Sequence, residues 1–151
     1  MTEARARRAI EITRVYDAPR ELVWRAWTKP DRLARWWGRR GWNADRGSIV
    51  IEPWAGGRFH VLTIAAADGA ELATDGVYRE VVAPERIVFA QDGGDAVATV
   101  TFADLGDGRT EMRFRATIEA SEDVRAAAVA GLGSAFERLA ELLTTESRRQ
   151  A

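Results

Sequence analysis

Few residues of this chain have types and spacings that could do chemistry. His60 is the sole histidine and the natural general-base candidate by intrinsic pKa. The serines it could activate are Ser48, Ser121, Ser134 and Ser147. If the Ala55-Gly56-Gly57 turn closes a hairpin, His60 lies opposite a residue near Ile51, which leaves Ser48 about 10 Å further along at 3.3 Å per residue. That distance makes no nucleophile–base pair, so His60 reads as structural or surface-exposed and no catalytic residue is assigned. With no cysteine, disulfides, thiolate catalysis and cysteine-ligated zinc are excluded. A carboxylate metal site from Glu52, Asp75 and Glu80 on neighbouring strands competes with a reading of the same residues as solvated strand faces, and no metal is assigned. Gly131-Leu132-Gly133 invites a dinucleotide reading but falls inside a predicted helix and follows no strand, so no cofactor is assigned.

Recognition chemistry is better represented. There are six tryptophans, Trp24, Trp27, Trp36, Trp37, Trp42 and Trp54, and four of them fall in two predicted short helices. They read either as an aromatic core plug or as an aromatic rim at a pocket mouth, since Trp joins a large apolar area to an N–H donor. Trp36 and Trp37 cannot both face inward on one helix, so at least one is expected at a surface or interface. Among polar groups, Arg113 and Arg115 share the outer phase of an alternating strand and are assigned to solvent. Tyr78 and Glu80 share a phase with each other and are assigned inward.

The elements that must position these groups follow from periodicity. Ser121 stands as an N-cap before Glu122 and Asp123. Val124, Ala128, Leu132, Ala135, Leu139 and Leu142 then recur at three- and four-residue steps, with Phe136 and Leu143 widening the stripe. This predicts a helix from Ser121 to about Thr145, a rod of roughly 36 Å. Its first half, Ala126 to Ala135, is nearly all small. Each interior glycine costs about 1 kcal/mol relative to alanine, so Gly131 and Gly133 imply either close contact with a neighbouring element or open space facing the helix. Upstream, Ile10 to Asp17 alternates as a first strand, Arg20 to Thr28 and Asp31 to Trp37 read as short helices, and Pro19 and Gly38 punctuate them. Turn signals at Ala55-Gly56-Gly57, Asp68-Gly69, Ala83-Pro84, Gly93-Gly94 and Asp107-Gly108 then separate six strands: Ser48 to Glu52, Arg58 to Ala66, Thr74 to Val82, Arg86 to Gln91, Val97 to Ala103 and Thr110 to Glu119. A long antiparallel sheet twists and curls, and its apolar side must be covered. Only the terminal helix is long enough to cover it.

Composition bounds the rest. A chain of 151 residues with 46% hydrophobic content suits one domain with a real core. Net charge is −1, from 22 basic and 23 acidic residues, which argues against a nucleic-acid footprint. Thr2 to Ala9 carries Arg5, Arg7 and Arg8 without a following apolar run, and no window approaches 18 apolar residues. These features predict a cytoplasmic protein without membrane insertion, divided into a disordered basic tail (1–9), a single domain (10–146) and a frayed C-terminus (147–151).

The stretches Arg14-Val15-Tyr16-Asp17-Ala18-Pro19, Val23-Trp24-Arg25-Ala26-Trp27-Thr28, Trp36-Trp37-Gly38, Gly56-Gly57-Arg58-Phe59, Gly76 to Val81, and Pro84 to Phe89 together resemble the SRPBCC, or START-like (Bet v 1-like), superfamily, and more closely its branch similar to the C-terminal domain of the activator of Hsp90 ATPase. One departure is Arg39, where proline commonly follows the Trp-Trp-Gly. The resemblance implies an α+β helix-grip fold, a curved seven-stranded antiparallel sheet around a long C-terminal helix, with a cavity between them. The namesake's co-chaperone activity depends on an additional N-terminal domain, for which a chain of this length is expected to have no room. The expected function is binding of a small hydrophobic or amphipathic molecule by Trp27, Trp36, Trp37, Phe59, Tyr78, Glu80, Phe89, Met112, Phe114, Ala128, Gly131, Leu132 and Ala135. Two alternatives stay open. One is an enzyme of cyclase, dehydratase or hydrolase type using a pocket carboxylate, Tyr78 or His60, which requires a perturbed ionisable group inside the cavity. The other is a protein-interaction module, with a homodimer as one form of it, which requires a contiguous apolar patch outside.

Overall fold

Period-two alternation builds the sheet. In the last strand Thr110, Met112 and Phe114 are buried while Arg115 and Glu119 are exposed, and in the first Ile10, Ile12 and Tyr16 are buried while Glu11 and Thr13 are exposed. The computed structural model describes residues 5–91 and 97–150, the last four as backbone only. The order is β1 (Ala6–Tyr16), α1 (Arg20–Thr28), α2 (Pro30–Trp36), β2 (Trp42–Ala44), a 3-10 turn (Arg46–Ser48), β3 (Val50–Ile51), β4 (Arg58–Ala65), β5 (Glu71–Val82), β6 (Arg86–Gln91), β7 (Val97–Asp104), β8 (Thr110–Ala120) and α3 (Glu122–Gln150). All pairings are antiparallel, in the order β1-β8-β7-β6-β5-β4-β2, and β3 pairs with β4 alongside β2. This is the helix-grip α+β fold, a curled antiparallel sheet with a long C-terminal helix.

Several boundaries differ from the sequence expectation, each for a local reason. The first strand starts at Ala6 rather than Ile10. Ala6 to Ala9 pair with Ala120 to Thr117, and Arg8 Nε donates to the Ala120 carbonyl at 2.9 Å. These four residues are therefore sheet and not tail, while residues 1–4 lie outside the described residues. The strand expected over Ser48 to Glu52 is reduced to Val50–Ile51 because Asp45, Gly47 and Ser48 form a turn instead. The Asp45 carboxylate accepts from the Gly47 N–H at 3.3 Å, and the Ser48 hydroxyl donates to the Asp45 carbonyl at 2.6 Å. The missing length of that edge is supplied by Trp42–Ala44. β5 begins at Glu71 rather than Thr74 because the Asp68-Gly69 turn is tight, with the Gly69 N–H donating to the Ala65 carbonyl at 2.9 Å. The Gly93-Gly94 turn lies outside the described residues. α3 runs on to Gln150, so residues 147–150 continue the helix backbone rather than fray. At 1.5 Å per residue α3 spans about 44 Å. Its start is as expected: the Ser121 hydroxyl accepts from the Val124 N–H at 3.2 Å. Val124, counted in the apolar stripe, is exposed.

α1 and α2 contribute their apolar faces to the core. Leu22, Val23, Ala26 and Trp27 of α1 and Leu33 and Trp36 of α2 are buried against Phe102, Met112, Phe136, Leu139 and Leu143.

Candidate functional site

Side-chain size along α3 decides where the helix meets the sheet and where it stands off. Ala135, Phe136, Leu139, Leu142 and Leu143 in its second half are buried, and the helix packs on β1, β8, α1 and α2. From Ala126 to Ser134 it offers only small side chains besides Val129 and Leu132, and none from Glu122 to Ser134 is fully buried. The space they fail to fill is a cavity of two adjoining lobes, about 330 and 360 Å³. Each lobe lies within the ~300–1,000 Å³ common for small-molecule sites.

Trp37, Leu72, Thr74 and Leu132 border both lobes and form the waist between them. The first lobe adds Trp36, Gly38, Arg39 and Trp42 from the end of α2 and the loop after it, Thr63 from β4, and Gly131, Ala135 and Phe136 from α3. The second is more uniformly apolar, with Ile10, Phe89, Val97, Ala98, Phe114, Ala116, Ile118 and Ala128, and Gln91 as its polar group. Leu72, 60% exposed, marks an edge open to solvent.

Eight of the expected site residues line this cavity: Trp36, Trp37, Phe89, Phe114, Ala128, Gly131, Leu132 and Ala135. Five do not. Trp27 belongs to the plug behind it, with its ring 4.9 Å from Trp36 and 6.1 Å from Phe136. Met112 is fully buried among core residues. Phe59 and Tyr78 form a second aromatic layer, Phe59 standing 5.3 Å from Trp37, 6.1 Å from Tyr78 and 5.9 Å from Phe89. Glu80 faces outward and pairs with Arg86. The reason is a β-bulge: the register shifts between Tyr78, opposite Phe89, and Glu80, opposite Val88. The extra residue, Arg79, breaks the phase that Tyr78 and Glu80 would otherwise share.

Trp36 and Trp37 do face the same cavity, because α2 ends between them. Trp37 is the C-cap, with extended backbone at φ −65° and ψ 134°, so its ring escapes the helical angle and sits 5.5 Å from that of Trp36. Trp36 is anchored through its indole N–H, which donates to the Ala26 carbonyl at 2.9 Å. The loop that follows is tied to α3 by Arg138. Its guanidinium donates to the carbonyls of Gly38 and Trp42 at 2.9 Å and of Trp37 and Arg35 at 3.3 Å, and burial holds its pKa below the ordinary arginine range.

The candidates for catalysis disperse. His60 Nδ1 meets the Asp75 carboxylate at 2.6 Å, a cross-strand pair of β4 and β5 outside the cavity lining. The Glu52 carboxylate accepts from the Arg58 N–H at 2.8 Å. Glu52, Asp75 and Glu80 thus have three separate partners, and among the described residues no three His, Cys, Asp or Glu side chains are grouped to share a metal ion. Burial raises the phenol of Tyr78 well above its usual range, which makes it a neutral donor rather than a base. Sequence reading misses Trp42, Thr63, Leu72, Thr74 and Arg39. Leu72 and Thr74 share the inward phase of Tyr78, and a strand started at Thr74 loses the first of them.

The sequence matches the family model described as Activator of Hsp90 ATPase homolog 1-like protein over residues 17–144. Among solved structures, a protein from Chromobacterium violaceum is 27% identical with a TM-score of 0.77, over 89% of this chain and 96% of the other. An AHSA1-like protein from Aeromonas hydrophila is also 27% identical, with a TM-score of 0.70 over 88% of this chain and 95% of the other. The AHSA1 protein from Silicibacter pomeroyi, at 14% identity, shares the fold with a TM-score of 0.80 over 92% and 99% of the two chains. No curated protein matches the sequence. Among the described residues no helix is long and apolar enough to cross a membrane.

Proposed function

We propose that this chain, which belongs to the Activator of Hsp90 ATPase homolog 1-like family of the SRPBCC superfamily, reversibly binds a small hydrophobic or amphipathic molecule between α3 and the sheet. The observation that carries the reading is the two-lobed apolar cavity beside the small-residue half of α3. An acid–base enzyme is the weaker reading, because the cavity lining holds neither a carboxylate nor an imidazole among the described residues. A protein-interaction module is also weaker. The large exposed apolar side chains are spread over β1 (Val15), the β3–β4 turn (Trp54), β5 (Leu72, Val77), the β7–β8 turn (Leu105) and α3 (Val124).

Burying ~300 Å² of ligand apolar surface at ~25 cal/mol/Å² contributes about 7 kcal/mol before association costs, so micromolar affinity is expected. Titration with N-phenyl-1-naphthylamine, a neutral apolar fluorophore, tests the reading. Saturable one-to-one binding should quench the tryptophan emission of Trp36, Trp37 and Trp42. Gly131→Leu, which fills the first lobe from the helix side, should weaken it at least tenfold while near-UV circular dichroism stays native. No saturable binding, or binding unchanged in the folded variant, would remove the cavity from the function.

A further inference from the structure

Resting on that reading, we propose that the preferred ligand is a single-chain amphiphile with an anionic carboxylate head, held at Arg39 with its tail directed past the waist into the second lobe. Among the described residues Arg39 is the cation that lines the cavity, and its guanidinium makes no ion pair or hydrogen bond, unlike those of Arg40 and Arg138 nearby. Arg40 is bound to Glu141 at 2.5 Å and lies 3.9 Å from Glu137. Arg138 spends its donors on four carbonyls. Among the described residues Arg39 is therefore the cavity-lining guanidinium left with its donors open.

Its position is built into the helix. A Cβ at residue 131 would stand 3.2 Å from Nη2, 3.5 Å from Nε and 3.6 Å from Cζ of Arg39. The absence of that carbon is what lets the planar group lie against α3 at the cavity wall. A guanidinium there offers the paired N–H fork that matches a carboxylate. The rest of the lining ranks the ligands. Thr63 already donates to the Leu72 carbonyl at 3.1 Å, and beyond the waist only Gln91 is polar among the described residues that line the second lobe. One charged end and one apolar end are what the cavity can satisfy, and a cationic or doubly charged molecule is disfavoured.

The test compares dodecanoate, dodecanol and dodecylammonium by displacement of N-phenyl-1-naphthylamine from the wild-type protein and from Arg39→Gln. Dodecanoate should bind the wild type about three- to fivefold more tightly than dodecanol, the upper range of an exposed ion pair, and dodecylammonium should bind most weakly. Raising the salt concentration should erode the dodecanoate advantage alone. In Arg39→Gln the advantage should shrink to within about twofold, with dodecanoate affinity falling more than that of dodecanol. Equal affinities of acid and alcohol for the wild type, or a dodecanoate advantage that survives in Arg39→Gln, would overturn the assignment of the head while leaving the cavity reading intact. Failure of all three to displace the fluorophore, or absence of fluorophore binding in the first place, would overturn the cavity reading and this inference with it.

Discussion

Gly131 and Gly133 look equivalent in the sequence and are not. The first borders the cavity and makes room for Arg39, whereas a Cβ at the second would stand 3.5 Å from Nη2 of Arg14, an ordinary contact. Gly133 therefore carries the entropic cost of glycine inside a helix without a steric need for it. Gly133→Ala should stabilise the protein by about 0.5–1 kcal/mol, read as a rise of roughly 1–4 °C in the melting midpoint for a chain of this size, with probe binding unchanged. A fall in the midpoint would mean that the helix is closer to Arg14 than the contact distance indicates. The sequence exposes the anomaly of two glycines in one helix, but not which of them has a neighbour. That depends on where Arg14 of β1 and Arg39 of the loop send their side chains, and no periodicity encodes it.

At the scale of elements, the cavity wall depends on how the end of α2 is fastened to α3. One side chain, Arg138, holds four carbonyls of that junction, those of Arg35, Trp37, Gly38 and Trp42. Arg138→Met keeps the stem but leaves these acceptors to solvent or unpaired, and should cost about 1.5–3 kcal/mol in denaturant unfolding. Arg138→Lys should rescue less than half of that, since an ammonium on a flexible stem cannot fork across the set. Both variants should also weaken N-phenyl-1-naphthylamine binding, because Trp37 and Trp42 lose their frame. Full rescue by lysine would reduce Arg138 to a surface charge. The same scale shows what alternation can and cannot carry. Counting twos from Tyr78 places Glu80 inward, and a single bulged residue at Arg79 reverses it. Helical geometry sets Trp37 against Trp36, and the helix stops one residue sooner than that requires.

For the molecule as a whole, element order, antiparallel pairing and the gripping helix were legible because they follow from long periodic runs and turn residues. The cavity residues were legible on α3 and at Trp36 and Trp37, only in part on the strands, where Phe89 and Phe114 line it but Phe59, Tyr78, Glu80 and Met112 do not, and illegible in the loop after α2. A global property that nevertheless reads straight from composition is the response to alkali. The chain has two tyrosines and one lysine, Lys29, so the phenols dominate titration above neutral pH. Tyr16 and Tyr78 are both buried, and burial raises each phenol above its usual range, against a smaller downward pull of Arg14 on Tyr16. The Tyr16 hydroxyl also donates to the Phe136 carbonyl at 3.2 Å, tying β1 to α3. In the unfolded chain a tyrosine releases its proton near pH ~10. Above that pH the unfolded state has lost protons that the native state retains, so stability is whole below about pH 10 and falls as pH rises, by up to about 1.4 kcal/mol per tyrosine per pH unit. Phenolate absorbance should therefore appear in one cooperative step, coincident with loss of the tryptophan near-UV signal, rather than as a shallow titration of a folded protein. Tyr78→Phe removes one of the two linked protons and should roughly halve the pH slope of the unfolding free energy in this range. Phenolate forming near pH ~10 with the tryptophan signal intact would show that at least one of these hydroxyls reaches water, and would open the aromatic layer behind the cavity to solvent.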